Sequence, residues 1–169
     1  LRQDASCLRE SPMQLPNAFI QQMEQLLGNE SPDFLAALDE EAPTSIRINK
    51  KKISAPEELE TIPWSTHGYY LSHRPSFTMD PLFHAGTYYV QEASSQFLEY
   101  LLKNSVDTTE QLKVLDLCAA PGGKTTLLSS ILSNDSLLVA NEVIRSRANI
   151  LSENVQKWGK GNVVVTNND

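Results

Sequence analysis

The stretch LDLCAAPGGKT, from Leu115 to Thr125, carries the strongest structural signal in the sequence. It begins within the run Val114 to Leu117, which predicts a strand, and it leads into a helical pattern that reaches Leu132. Gly122 and Gly123 lack Cβ atoms, so the backbone can turn sharply and approach a ligand. The start of the following helix offers free N–H groups to a carboxylate or phosphate. The sequence therefore predicts a ligand site in the turn after this strand, where open α/β sheets bind ligands.

Strand and helix patterns alternate downstream of this turn. Leu137 to Ala140 predicts a second strand, Ile144 to Trp158 a helix closed by Gly159, and Val163 to Val165 a third strand. A β-α-β-α-β order predicts a parallel sheet. We therefore predict an α/β fold in which residues 106–169 form the first half of a Rossmann-like domain.

The upstream part has a different pattern, which predicts a small α/β N-terminal domain over residues 13–105. Helices are predicted from Leu15 to Leu27, after Ser31 as N-cap, and from Ala93 to Lys103. Strands are predicted at 44–49, 68–71 and 87–90, with an ordered loop over 72–86. Residues 1–12 show no period, so we interpret them as a leader or a disordered segment and exclude them from the fold.

Two acids follow the second and third strands and extend the predicted site. Glu142 stands where an acid bonds ribose hydroxyls in nucleotide-binding β-α-β units, and Asp169 stands where an acid can accept a hydrogen bond from an adenine amino group. A solvated loop acid and an exposed chain-end residue are the simpler alternatives. A carboxylate, a ribose and an amino-substituted base together describe S-adenosylmethionine. The turn fits neither a Walker A motif, which needs glycine at the position of Cys118, nor a three-glycine dinucleotide fingerprint.

Composition limits the other classes of function. The net charge is −7, there is no apolar run of membrane-spanning length, and no Cys/His spacing suits zinc, so we expect neither membrane nor metal as partner. Two cysteines suit a reduced, cytoplasmic protein. Bases cluster at Arg47, Lys50, Lys51 and Lys52, which predicts either RNA phosphate contacts or a solvated turn.

Three motifs resemble the NOL1/NOP2/Sun family of RNA 5-methylcytosine methyltransferases. Cys118 to Thr125 resembles its cofactor loop, while PTSIRIN (43–49) and HAGTYYVQEASS (84–95) resemble its N-terminal motifs. LPNAFIQQMEQLLG and RPSFTMDPLFHAG resemble most the bacterial branch that modifies small-subunit ribosomal RNA. The resemblance extends from about Met13 to Asp169.

The resemblance implies both a cofactor site and a mechanism. Contacts to S-adenosylmethionine are implied for Cys118, Ala119, Ala120, Pro121, Gly122, Gly123, Lys124, Glu142 and Asp169. In this family one cysteine thiolate adds to cytosine C6, C5 then takes the methyl group, and a second cysteine assists release. Those cysteines lie in later motifs that this sequence does not contain. We therefore expect an N-terminal fragment that is inactive alone, with Cys118 a packed, inert thiol.

The residues alone leave three alternatives open. Transfer RNA is an alternative substrate to ribosomal RNA. A non-catalytic RNA-binding module is a second alternative, and it predicts RNA binding without S-adenosylmethionine binding. A nucleotide-dependent oxidoreductase or ligase that uses the same turn is a third, although the glycine spacing argues against it.

Overall fold

The computed structural model of the protein describes residues 15–169, so the predictions for residues 1–12 and for Met13 lie outside the described residues. The chain divides into two compact units between Ala42 and Pro43. The boundary expected near residue 105 stays a prediction. None of the helices in the described part is long and apolar enough to cross a membrane.

The described part of the first unit, residues 15–42, contains two helices. Helix α1 (Asn17–Leu27) is followed by a 3-10 turn (Gly28–Glu30) and helix α2 (Ser31–Ala37), and the rings of Phe19 and Phe34 lie 6.5 Å apart. The prediction that Ser31 is an N-cap is wrong, because α2 begins at Ser31 itself. The 3-10 turn leads directly into the helix, so Glu30 already has helical dihedral angles and no extended cap residue precedes α2.

The second unit begins with a three-stranded antiparallel sheet in the order β2-β1-β3. Its strands are β1 (Thr44–Ile48), β2 (Gly68–Leu71) and β3 (Tyr88–Val90), which confirms the three predicted strands. Ile46 and Ile48 of the central strand pack with Tyr69 in a core cluster. Ser45 and Arg47, on the other face of β1, are also buried, so both faces of this strand are covered.

The segment between β2 and β3 is more regular than the predicted loop. It contains a 3-10 turn (Phe77–Met79) and a short helix α3 (Pro81–His84). Asp80 caps that helix, because its side chain accepts a 2.9 Å hydrogen bond from the Leu82 N–H and Pro81 occupies the first helical position. Helix α4 (Ala93–Ser105) follows β3 and confirms the predicted helix there.

A second, parallel sheet in the order β4-β5-β6 confirms the predicted Rossmann-like half. Helices alternate with its strands along the chain. The elements are β4 (Lys113–Asp116), α5 (Gly123–Ile131), β5 (Leu137–Asn141), α6 (Arg145–Trp158) and β6 (Val163–Thr166). One core cluster joins Ala119, Ala120 and Ala140 to Leu151 and Val155 of α6. A second joins Leu128 and Leu132 to Leu138 of β5. These clusters fix the turn between β4 and α5 at the carboxyl edge of the sheet.

Candidate functional site

The turn between β4 and α5 has a fixed backbone path. Gly122 has φ 112°, a left-handed conformation that favours glycine, and a Cβ there would lie 3.3 Å from Leu151 Cδ1. The first helical hydrogen bond of α5 runs from the Thr126 N–H to the Gly122 carbonyl. The N–H groups of Gly123, Lys124 and Thr125 precede it, so no carbonyl of α5 is placed to accept from them. The turn therefore presents the donor cluster expected of an anion site.

Side chains from both neighbouring strands and helices hold this turn. The Thr125 hydroxyl donates a 2.7 Å hydrogen bond to the Asp116 carboxylate at the end of β4. The Asn154 side chain of α6 donates a 2.8 Å bond to the Pro121 carbonyl. Sequence reasoning missed both contacts. The position of Asp116, an acid at the carboxyl end of the first strand, was the available signal.

A cleft of about 230 Å³ lies between this turn and β3 with the residues that follow that strand. A Cβ on Gly123 would meet Tyr89 Cε1 at 3.4 Å and Gln91 Nε2 at 3.5 Å, so these side chains form the opposite wall. The lining residues are Tyr89, Val90, Gln91, Glu92, Ser95, Cys118, Ala119, Ala120, Pro121, Gly123 and Lys124. The HAGTYYVQEASS motif thus forms the wall of the cleft that faces the predicted cofactor turn. The sequence analysis assigned no such role to this motif.

Cys118 differs from its expectation. It is a free, exposed cysteine that lines the cleft, so the prediction of a packed thiol is wrong. The physical reason lies in the turn: Ala119 and Ala120 point into the core cluster beneath it and are buried, while Cys118, before them, remains at the open side.

Glu142 lies beneath the turn and does not line the cleft. It is 3% exposed, and its carboxylate accepts a 3.1 Å hydrogen bond from the Ile144 N–H. Arg147 lies 3.7 Å from the same carboxylate and donates a 3.1 Å bond to the Ala120 carbonyl. Arg147 thus connects Glu142 to the cofactor turn, a contact that the sequence analysis missed. The ribose contact of Glu142 stays a prediction.

Asp169 stands farther from the sheet than predicted. Strand β6 ends at Thr166, so the expectation that Asp169 closes the third strand is wrong, and Asp169 is exposed. Asn141 holds the intervening segment, because its side chain donates to the Asn168 carbonyl and accepts from the Asn168 N–H, both at 3.0 Å. These side-chain bonds hold the residues after Thr166, where the backbone hydrogen bonds of the sheet have ended. The adenine contact of Asp169 stays a prediction.

Arg47 is buried, unlike Lys50, Lys51 and Lys52 of the same basic cluster, which form the exposed basic surface. It is 2% exposed, and its guanidinium donates hydrogen bonds to Gln91 Oε1 (2.9 Å), the Thr126 hydroxyl (2.6 Å) and the Gly123 carbonyl (3.3 Å). Its Cζ also lies 4.4 Å from the centre of the Trp158 ring. Burial lowers the pKa of Arg47 to about 9, although Glu99 and Tyr89 act in the opposite direction. With its guanidinium bonded inside the protein, Arg47 is removed from the proposed RNA contacts.

The three lysines after β1 are exposed but not equivalent. Lys52 donates hydrogen bonds to the carbonyls of Ala85 and Lys157, at the end of α6. Lys50 and Lys51 line a small pocket that also includes Lys160. Within residues 15–169, no group of three or more His, Cys, Asp or Glu side chains is placed to hold a metal ion.

Comparisons with known proteins agree with the motifs. Residues 15–93 match the family described as the N-terminal domain of 16S rRNA methyltransferase RsmF, and residues 102–169 match the family 16S rRNA methyltransferase RsmB/F. The ribosomal RNA small subunit methyltransferase F of Shewanella woodyi is 35% identical over 149 residues, which cover 81% of this chain and 31% of the relative. The protein of the same name from Aliivibrio salmonicida is 35% identical over 171 residues, with 92% and 36% covered. The chain therefore spans about a third of the length of these curated relatives.

Solved structures agree with this assignment. A methyltransferase homologue protein from Pyrococcus horikoshii superposes with a TM-score of 0.78 at 29% identity, over 92% of this chain and 53% of that one. NSun6 from the same organism has a TM-score of 0.71 at 16% identity, over 91% and 65% of the two chains, which shows a shared fold alone. The predicted resemblance is confirmed: the chain belongs to the NOL1/NOP2/Sun methyltransferases, in the bacterial 16S rRNA RsmB/F group.

Proposed function

We propose that the whole protein methylates C5 of a cytosine in small-subunit ribosomal RNA, with S-adenosylmethionine as methyl donor. Family membership supports the reaction class, and the names of the relatives support ribosomal rather than transfer RNA. The present chain contributes the methyl-donor site in this proposal. The family's nucleophilic cysteines would come from other parts of the whole protein.

The residues of the turn fit the proposed cofactor. Its amino-acid carboxylate is an anion, and the N–H groups of Gly123, Lys124 and Thr125 are donors at a helix N-terminus. The exposed Lys124 ammonium adds a positive charge beside them. When bound, S-adenosylmethionine supplies an electrophilic methyl group on a sulfonium. The cleft of about 230 Å³ suits only part of such a molecule, which agrees with Glu142 and Asp169 standing outside its lining.

Arg147 would position both halves of the cofactor site. Its guanidinium reaches the Glu142 carboxylate and the Ala120 carbonyl, so one side chain sets the distance between the ribose acid and the turn. We propose that Glu142 accepts hydrogen bonds from the ribose hydroxyls once its side chain is turned toward the cleft. The bond from the Ile144 N–H leaves most lone pairs of that carboxylate available.

The observation that carries the proposal is the cleft wall at Gly123. Gly123→Val would fill the cleft toward Tyr89 and Gln91 without requiring a left-handed residue, whereas any substitution at Gly122 would also strain the backbone. We expect Gly123→Val to lower S-adenosylmethionine affinity at least tenfold in calorimetry on the protein at the length of its relatives. Glu142→Ala should weaken binding less.

Gly161→Val is the matched control, since a Cβ at Gly161 would have no heavy atom within 4 Å. It should bind the cofactor as the parent protein does. Equal affinity in the parent and in folded Gly123→Val would remove the cofactor assignment from this cleft. Transfer of labelled methyl to 16S rRNA, compared with transfer RNA, tests the substrate.

The basic surface supports a second candidate, a non-catalytic RNA-binding module. Exposed Lys50 and Lys51 would contact phosphates in both cases. Only the enzyme proposal requires that S-adenosylmethionine binding and RNA binding occur in the same protein, so a protein that binds RNA with no measurable cofactor binding would favour the module.

A further inference from the structure

Four cationic or basic side chains meet in one small pocket at the end of β1. Lys50 and Lys51 come from the turn after β1, His67 precedes β2, and Lys160 follows α6. The pocket measures about 20 Å³, and Ser130 and Trp158 also line it. Two distant segments of the chain thus bring ammonium groups to one point beside the His67 ring, whereas the sequence shows only the two adjacent lysines.

The lysines of this pocket lie in no ion pair among the described residues, although the charge of Glu99 acts on the His67 ring. Among the described residues, ion pairs join Lys103 to Glu99 and Arg147 to Glu142, and none includes a lysine of the pocket. Burial lowers the pKa of Lys160, and repulsion from Lys51 and Lys50 lowers it further. Such a concentration of positive charge is unexpected in a protein whose net charge is −7. It costs free energy unless an anion occupies the site.

Hydrogen bonds hold the positive groups in place. Lys160 donates to the carbonyls of Ser129 and Leu132 at the end of α5. The turn itself is attached to the end of α6, because the Asn49 side chain donates a 2.8 Å bond to the Trp158 carbonyl and Lys52 donates to the Lys157 carbonyl. The backbone positions of Lys50 and Lys51 are therefore fixed, although their ammonium groups remain free.

We propose that this pocket binds one phosphate of the RNA backbone. A space of about 20 Å³ has room for about one water-sized group, so a single phosphate oxygen enters the pocket beside His67. Lys160, whose ammonium already donates to two carbonyl oxygens, adds only its positive charge there. Lys50 and Lys51 contact the remaining oxygens at the mouth. The pocket offers no recess for a base, so it sets the position of the RNA without reading its sequence. This inference rests on the proposed RNA substrate.

The test compares RNA binding at several salt concentrations, with the protein at the length of its relatives and a 16S rRNA fragment. Each lost phosphate contact should lower the slope of log K against log salt by about 0.7–0.9. We expect a loss of about 1.4–1.8 for the Lys50→Ala/Lys51→Ala double variant, two contacts in all. Lys113→Ala, at an exposed lysine in β4, is the control and should keep the parent slope.

Nuclear magnetic resonance of the His67 ring separates RNA from free phosphate. RNA should raise the pKa of His67 in the parent protein but not in the double variant, and millimolar inorganic phosphate should act more weakly. A double variant with the parent slope would overturn the proposal, as would a His67 response to inorganic phosphate without one to RNA. Cofactor calorimetry runs in parallel: if the double variant shows the expected slope change while the parent protein binds no S-adenosylmethionine, the result would support the pocket and refute the enzyme function.

Discussion

Replacement of Arg47 should destabilise the joint between the antiparallel sheet and the cofactor turn. The guanidinium bonds Gln91 on one side and Thr126 and Gly123 on the other, and it stacks on Trp158. Arg47→Ala leaves the side-chain oxygen Oε1 of Gln91 without this donor, at about 1–3 kcal/mol, and removes the packing of a long side chain. Together these losses give about 3–5 kcal/mol, the range typical of truncating a large buried side chain to alanine.

That loss should lower the melting temperature by roughly 6–20 °C, taking about 2–4 °C per kcal/mol for a domain of this size. Arg47→Lys keeps the charge but cannot reproduce the planar fork, so it should recover only a small part of the stability. Differential scanning calorimetry measures both variants. Arg74→Ala is the control, because Arg74 is an exposed arginine whose guanidinium lies 5.5 Å from the Phe77 ring.

The same variants separate the role of Arg47 from an RNA contact. Because Arg47 bonds the Gly123 carbonyl, Arg47→Lys should weaken S-adenosylmethionine binding and leave the salt slope of RNA binding unchanged. Two results together would refute the structural role of the buried Arg47 and make it an RNA contact. The melting temperature of Arg47→Ala would lie within about 2 °C of the parent, a loss of less than about 1 kcal/mol, and its salt slope would be reduced.

Two further predictions follow from the second unit. Burial lowers the pKa of His67, and repulsion from Lys50 lowers it further, so folding favours the neutral ring. The free energy of unfolding should therefore rise as the pH increases from the lowered pKa toward 6.5. His67→Gln should make the melting temperature depend less on pH across that interval. A steeper profile in the variant would contradict this sign. Gly86 has φ 66°, and a Cβ there would lie 2.2 Å from the Lys157 carbonyl oxygen. Gly28 has a similar φ of 54°, but a Cβ there would have no heavy atom within 4 Å. Gly86→Ala should therefore lower the melting temperature more than Gly28→Ala. Equal losses would mean that only the backbone conformation matters.

The parallel sheet and the cofactor turn could be predicted because their signals are local. Gly122 and Gly123 follow an apolar strand directly, and the helical period begins within the next few residues, so the strand, the turn and the helix are all present in one short stretch. The β-α-β-α-β order then restricts the sheet to a parallel arrangement. The cleft wall formed by Tyr89 and Gln91 was not predictable in this way, because it depends on how β3 packs against a turn some thirty residues later in the chain.

Arg47 shows the same limit for a charged residue. In the sequence it precedes three lysines, and a base in such a run is usually solvated. Its actual partners, Gln91 and Thr126, lie 44 and 79 residues away along the chain. The alternation of TSIRIN indicated that Arg47 and Ile46 face opposite sides of the strand, but it did not indicate that α5 covers the second side. Whether the Arg47 face of β1 is exposed to solvent or buried depends on long-range packing, which the pattern of a single sequence does not contain.

The basic run after β1 therefore combines side chains with different physical tasks. Arg47 packs inside the protein, Lys52 caps the end of α6, and only Lys50 and Lys51 have free ammonium groups at the pocket. A variant that removes all the bases together would lose stability and phosphate contacts at once, and its weaker RNA binding would have no unique cause. Lys52→Ala should lower the melting temperature with a smaller change in salt slope than Lys51→Ala, because its charge is already directed at two carbonyl oxygens. If both single variants change the slope equally, the run acts as a uniform positive surface and the distinction drawn from these hydrogen bonds fails.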